Sequence, residues 1–543
     1  MPAGEIQLVA YGDENIVLNQ DPQITFFKII YRRYTNFSIE TVRNDLLYTA
    51  KFGKKYSIEI GKLGDLVHKM WLVIELPDIP IIYSLDNIID KRIKFKWAQK
   101  VAYALIDYVE IEIGGQTIQK QWGEWMNVLN ELNWNNYNSS LDEYIGNTPD
   151  FTTYEYVENG INSKMLYIPL FFWFCNTSGL ALPMLCLEYS IIRFNIQLNN
   201  FENCSIFSPS NYIKINKYYG YGILGEPIVQ YTPQGIAWGE FDSIEIAEYD
   251  PVTKAPTSYY LYYRKISDNE FITTTNTYYQ NIDGQYFNDT NFKNYIIYGL
   301  DSGSLFQPSE SSSLDPNSIF IQKNYNYSFF SNITLKQLYL LIDYIYLDRE
   351  ERTKFFQNKH NYLVEQVYFS NPRYLSNQFN RNTLELINPC KYFVFMGQVN
   401  YFLNPNVNYL FNYNTLFFKP QFVKFAKTIN YKTVIKSASF SLNSTLANEE
   451  IDMKYYSSYT PFIHFPMAYN TNGFGLSSFC LYPDNLQPSG SCNISSFYTF
   501  DINTYFNPID INYNKYVFKS YAVTYNFLRI VNGVAATIFT SNF

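Results

Sequence analysis

Apolar and polar residues alternate in short runs along most of the chain, and turn residues break the runs at intervals that suggest β-sandwiches. The cleanest run is Asp107–Ile113, where Val109, Ile111 and Ile113 share one face of a strand and Glu110 and Glu112 take the other. Gly114-Gly115 then supplies a two-residue turn, and Thr117–Gln119 returns as the second strand of a hairpin. The same reasoning predicts strands over Ile24–Tyr31, Tyr56–Ile60, Met70–Leu76, Leu166–Phe174, Leu187–Leu198, Leu338–Leu347 and Tyr362–Phe369, with a short one at Phe479–Leu481. Helical spacing is rare. Trp122, Trp125, Met126, Leu129 and Leu132 form one amphipathic stripe, and Asp348 with Glu351 predicts a capped, solvated helix.

Between residues 203 and 335 the pattern weakens. Asn, Ser, Thr, Tyr and Gly dominate, Ser309–Pro316 looks like an exposed loop, and Ser258–Tyr263 is one strand among few. This predicts a long loop insertion with some strands of its own. The strand–helix–strand pattern across 338–369 is the best candidate boundary between two domains, which a chain of 543 residues needs.

Composition narrows the function. A net charge of −8 opposes the basic footprint of a genome-binding protein, and no Lys or Arg precedes Lys28, so no direct nucleic-acid contact is expected. The start of the chain lacks an apolar signal, and the most apolar run, Met165–Phe174, is too short to span a bilayer, so no membrane insertion is expected either. Six cysteines (Cys175, Cys186, Cys204, Cys390, Cys480, Cys492) show no metal-ligand spacing and read as reduced thiols. Cys480 and Cys492 flank a turn, which leaves their pairing open.

Catalytic chemistry has no foothold. His68, His360 and His464 are isolated, which argues against a metal centre, and no cofactor is expected. Gly220-Tyr-Gly-Ile-Leu-Gly225 has the letters of a dinucleotide loop. Pro227, Pro233 and Gly235 follow it where that loop needs a helix. Of nine Asn-x-Ser/Thr sequons, Asn288, Asn326 and Asn332 in the insertion are the best candidates for glycosylation.

The segments Gln7–Gly12, Asp21–Phe37, Tyr108–Gln116 with Gly123–Met126, Leu166–Phe174 with Leu180–Pro183, Asp343–Arg352, and Tyr525–Gly533, in that order, resemble the major capsid proteins of nucleocytoplasmic large DNA viruses. The turn Gln487-Pro488-Ser489-Gly490 resembles a signature of that family's second jelly roll. The resemblance implies an all-β double jelly roll, two eight-stranded antiparallel sandwiches with short helices and the long loop insertion. It implies an N-terminal arm over 1–24, a first jelly roll over 25–350 with 203–335 as an outer crown, and a second over 351–543. The implied protein is not an enzyme. It is a virion shell protein, assembled in a host cytoplasm, whose homotrimers form pseudo-hexameric capsomers that tile an icosahedral capsid. Its implied partners are copies of itself, minor capsid proteins and penton proteins. A minor capsid paralogue or assembly scaffold is the alternative within the class. A sugar-binding jelly-roll module is the alternative outside it.

Overall fold

The structure, a computed structural model, describes residues 33–80, 93–133, 139–232, 235–267, 296–308, 333–375, 377–403, 410–417, 430–465, 473–507 and 516–539, with a few isolated positions besides. The predicted strand Ile24–Tyr31 and the arm over 1–24 therefore lie almost wholly outside the described residues.

The first part of the chain supplies β1 (Phe37–Asp45), β2 (Lys55–Glu59), β3 (Leu66–Glu75), β4 (Lys94–Trp97), β5 (Ile106–Ile113) and β6 (Gln116–Trp122). Helix α1 (Gly123–Leu132) follows, then β7 (Met165–Pro169), β8 (Ile192–Leu198) and β9 (Ser205–Ser208). Strands β10 (Asn211–Tyr219), β11 (Pro227–Thr232), β12 (Gly235–Tyr249), β13 (Pro256–Lys265), β14 (Ile297–Gly299) and β15 (Leu305–Pro308) form a unit of their own. Strand β16 (Gln337–Leu347) returns to the first sandwich, and α2 (Arg349–Gln357) leads into the second. That sandwich holds β17 (His360–Leu375), β18 (Phe379–Leu384), β19 (Pro389–Val399), β20 (Ile435–Leu442), β21 (Thr445–Asp452), α3 (Thr460–His464), β22 (Gly475–Ser478), β23 (Phe500–Phe506) and β24 (Tyr516–Val531).

The two sandwiches share one topology. In the first, the sheets run β1-β16-β3-β7 and β2-β8-β5-β6; in the second, β17-β24-β19-β22 and β18-β23-β20-β21. Counting eight strands per sandwich in chain order, both read 1-8-3-6 and 2-7-4-5, with antiparallel pairing throughout. This is a double jelly roll. The cores follow from the alternation. Val109, Ile111 and Ile113 are fully buried in the first core, and Gly114 and Gly115 take the positive φ values (59° and 86°) that a two-residue hairpin turn requires.

Two predicted strands come out shorter and a third does not form. Ladder pairing in Leu166–Phe174 stops at Pro169, and Trp173–Asn176 winds into a helical turn that buries Phe174. Leu187–Leu198 pairs only from Ile192, because Tyr189 instead donates its N–H to Gly533 O at 3.2 Å. At Phe479–Leu481 the strand ends at Ser478, whose hydroxyl accepts the Cys480 N–H (3.2 Å) in place of a ladder bond.

Among its described residues the insertion is mostly strand, more than the weak pattern suggests. Its described strands close into a barrel in the order β10-β13-β12-β11-β14-β15, filled by Ile213, Ile215, Ile228, Phe241, Leu261 and Phe306. The period was hidden because both barrel faces are rich in rings. Tyr212, Tyr260 and Tyr262 lie against one another at 5.2–6.4 Å on the face opposite Ile213 and Leu261. Tyrosine on the outward face removes the polar half of the alternation.

Candidate assembly surfaces

The joint between the sandwiches is built on α1. Gly123 starts this helix beneath two main-chain oxygens, Ile106 O and Tyr103 O, each 2.2 Å from where a Cβ would sit. Only glycine lets the helix begin so close to β5. One side of α1 then serves its own sandwich through Met126, while Trp125, Val128 and Leu132 pack on the second. There they meet Tyr392, Val394 and Met396 of β19 and Tyr521 and Val523 of β24. Neighbouring residues on the same strands, Phe393, Phe395, Phe518 and Ala522, fill the second core, so α1 covers the outer face of the β17-β24-β19-β22 sheet.

Polar contacts fix the register of the joint. Glu124 accepts from Lys519 Nζ (3.0 Å), Tyr521 OH (2.9 Å) and Tyr413 OH (3.1 Å). Burial, followed by the Glu124 charge, pushes both phenols well above their usual value. Gln119 donates to Glu365 O and Gln366 to Ile118 O, both at 2.7 Å, while Gln116 donates to Thr537 Oγ1 at the same distance. A cavity of about 240 Å³ lies in this joint, edged by Trp122, Phe369, Asp107 and Lys519. Burial raises the Asp107 carboxyl there.

A second joint ties the barrel down. Lys94 of β4 meets Asp242 of β12 at 2.5 Å with both side chains buried, and Ser208 of β9 donates to the same carboxylate at 2.8 Å. Beside them Arg264 holds Glu240 through two nitrogens (2.7 and 3.1 Å), and Tyr154 donates to it at 2.9 Å. Strand β9 pairs with β4, so residues 205–208 run with the first sandwich. Val229, Trp238 and Ile266 of the barrel unit join the core cluster of the second sandwich, with Val399, Phe506 and Tyr516. The barrel thus braces both sandwiches at one end.

The predicted turn residues sit at the surface. Gln487 and Pro488 are exposed, and Ser489 Oγ accepts the Tyr482 N–H (2.9 Å). Gly490 has φ +139°, and Phe479 O lies 3.0 Å from where a Cβ would sit. Lys391, itself buried, pins the turn by donating to Asn485 O (3.1 Å) and pairing with Glu365. Asn288, Asn326 and Asn332 lie outside the described residues. Each histidine is bound to a main-chain oxygen: His68 to Phe174, His360 to Phe355, His464 to Leu481. No group of potential metal ligands occurs among the described residues, and no described helix is long and apolar enough to cross a membrane. All six cysteines are free thiols, and the residue opposite Cys492 in the ladder is Cys390. The Gly220–Gly225 letters fall in the turn between β10 and β11, with no helix after them.

Sequence reasoning found the α1 stripe but missed Glu124, Gln119, Gln366, Lys94 and Asp242. Each is a polar residue whose partner lies on a different unit, and no local spacing marks such a pair. Asn127 and Asn130 lie off the apolar stripe of α1, toward its expected solvent side, yet are buried, so both flanks of this helix are covered.

Comparison with known proteins agrees with this geometry. Residues 25–232 match the family model for the major capsid protein N-terminus, and residues 351–536 match that of the large eukaryotic DNA virus major capsid protein. The chain is 32% identical over 549 residues to probable capsid protein 4 of Acanthamoeba polyphaga mimivirus, covering 100% of both chains. The chain belongs to the major capsid protein family of large eukaryotic DNA viruses. This capsid-family chain is also 24% identical over the full length of the major capsid protein of Phaeocystis pouchetii virus. In fold it is similar to the PBCV-1 virus capsid (TM-score 0.59, 20% identity, 95% of this chain and 100% of that one). It is similar also to the Faustovirus major capsid protein (TM-score 0.59, 11% identity, 96% and 94% covered). Capsid-family members are structural proteins, and this one is not an enzyme.

Proposed function

We propose that this capsid-family chain associates as a homotrimer and that the trimer is the tile of an icosahedral shell. The observation that carries the reading is the repeated 1-8-3-6 and 2-7-4-5 topology of two sandwiches held side by side by α1. Three such pairs present six similar walls, a pseudo-hexagonal outline that packs into a sheet, and a heterologous contact that closes after three copies leaves no open end. Neighbouring capsomers, minor capsid proteins and penton proteins are its partners in this reading, and the host cytoplasm is its place of assembly. Residues 1–24 serve as an arm, 25–350 as the first jelly roll and 351–543 as the second. The insertion 203–335 is an outward crown, since it leaves one sandwich between β8 and β16 and lateral or inward placement would collide with neighbours. The net charge of −8 supports assembly without direct nucleic-acid contact. Asn288, Asn326 and Asn332 are its candidate glycan carriers.

Light scattering after size exclusion is the test. A mass about three times 63.9 kDa is expected, and a stable monomer at micromolar concentration refutes the trimer. Limited proteolysis of whole particles tests the crown: early cuts should map to 203–335, and protection there overturns the orientation. A second reading, a minor capsid paralogue, is favoured by the full-length match to a relative named probable capsid protein 4. Abundance separates the two, because a major shell protein dominates a stained gel of purified particles.

A further inference from the structure

The second sandwich carries a helical run that the first sandwich's architecture explains. In the first, α1 follows the fifth strand, β6, directly. In the second, a helical run from Met453 to His464, with a π-helical turn at Tyr455–Tyr459 continuing into α3, follows the fifth strand, β21, directly. Both runs hold their own sandwich with an inward residue, Met126 in one and Tyr456 in the other. The outward side of α1 is buried on the neighbouring sandwich. The outward side of the second run is bare. Tyr455, Tyr459, Phe462 and Ile463, spaced i, i+4, i+7, i+8, are 41–70% exposed. Such an aromatic and aliphatic stripe is the composition of an interface core.

We infer that the stripe Tyr455–Ile463 docks on the first sandwich of a second copy of this chain, on the outer face of its β1-β16-β3-β7 sheet. The inference rests on the trimer reading above and goes beyond it by naming the surfaces. The argument is equivalence. Within the chain, the helix after the fifth strand of sandwich one covers the outer face of the first sheet of sandwich two. If six similar walls close a ring, the helix of sandwich two must meet the first sheet of the next copy's sandwich one. That face is suited to receive it. Val42 points into the core, so Phe37 and Ile39 on the other side of β1 face outward, and they are 53% and 55% exposed. Leu341, half-buried, extends the same face beside its register partner Trp71, whose ring packs against Tyr144 of the same chain. An exposed apolar edge strand left uncovered invites aggregation, and a closed trimer covers it.

The test uses the full chain and three variants, all at exposed positions: Phe462→Asp with Ile463→Asp, Ile39→Asp, and Val252→Asp as a control on an exposed crown loop. Trimer dissociation is read by light scattering across a dilution series, and folding by far-ultraviolet dichroism. The double variant and Ile39→Asp should raise the dissociation midpoint about 100-fold or more, as loss of central interface contacts does, with folding unchanged. Val252→Asp should stay trimeric. A trimeric parent whose double variant or Ile39→Asp variant dissociates no more readily overturns this assignment and leaves the trimer standing. Equal weakening by Val252→Asp overturns it too. A parent that is itself monomeric refutes the trimer reading instead.

Discussion

Replacing Trp125 by alanine should uncouple the two sandwiches. The indole is 1% exposed and lies between the sandwiches, 5.5 Å from the Tyr521 ring and 6.3 Å from the Tyr392 ring. A buried tryptophan removes roughly 150–250 Å² from water, which at about 25 cal/mol per Å² is about 4–6 kcal/mol. Alanine keeps the Cβ, and relaxation closes part of the hole, so a cost of about 3–5 kcal/mol is expected, in line with other tryptophan truncations. The loss falls on the joint, because Met126 rather than Trp125 holds α1 to its own core. Cooperativity between the sandwiches should fall with it. Calorimetry at one fixed protein concentration, since subunit association raises apparent stability, should show one transition in the parent and two in the variant. Trp125→Phe should recover most of the coupling. A single transition shifted by less than about 1 kcal/mol would refute the view that this contact couples the sandwiches.

Three further outcomes follow from buried polar groups. Asp242→Ala strips Lys94 of its buried carboxylate, and leaving a buried charge unpaired should cost about 3–5 kcal/mol, read as early protease cleavage in β10–β13. Burial alone raises the Asp501 carboxyl, but hydrogen bonds from Arg381 and Thr383 outweigh it and hold it below its usual value. Its stabilisation is therefore present above the unfolded value of about 3.9 and is lost as pH falls through the lower folded value, so Asp501→Asn should flatten the melting-temperature profile below about pH 4. An unchanged acid limb would show that Asp501 is not the group responsible. Burial pushes the Cys186 thiol up to about 11 and the Cys175 thiol to about 12. At pH 8 the Cys186 thiolate should then be roughly 200-fold scarcer than that of an unperturbed cysteine near 8.5, so a disulfide reagent should titrate it slowly in native protein and all six thiols promptly in denaturant.

What the sequence disclosed was whatever a single strand or helix encodes locally. The hairpin at Gly114-Gly115 could be read because its period, its turn and its burial all follow from one face meeting one core. The helix at Asp348 could be read for the same reason: the carboxylate accepts from Arg349 N at 2.7 Å, and no residue of the helix is fully buried. Periodicity failed in the barrel, where tyrosines cover the outer face, and at Leu166–Phe174, where a continuous apolar run suits strand and buried turn equally.

The assembly surfaces were illegible for a different reason. Whether the outward side of a helix is a joint or a bare stripe depends on which sheet stands opposite it, and that is a property of topology. The two helices after the fifth strands make the point. Trp125, Val128 and Leu132 on one, and Tyr459, Phe462 and Ile463 on the other, are equally apolar, yet the first set is buried and the second exposed. Side chains of one character with opposite burial are what a duplicated fold produces when one of its two equivalent contacts is made within the chain. The other is left for a neighbour to make. No repeat is legible in the letters, while the shared strand order shows it in the ladder pairing. The physical content of the repeat is thus carried by register and sheet order, which constrain where an interface must lie even when no residue in it is shared.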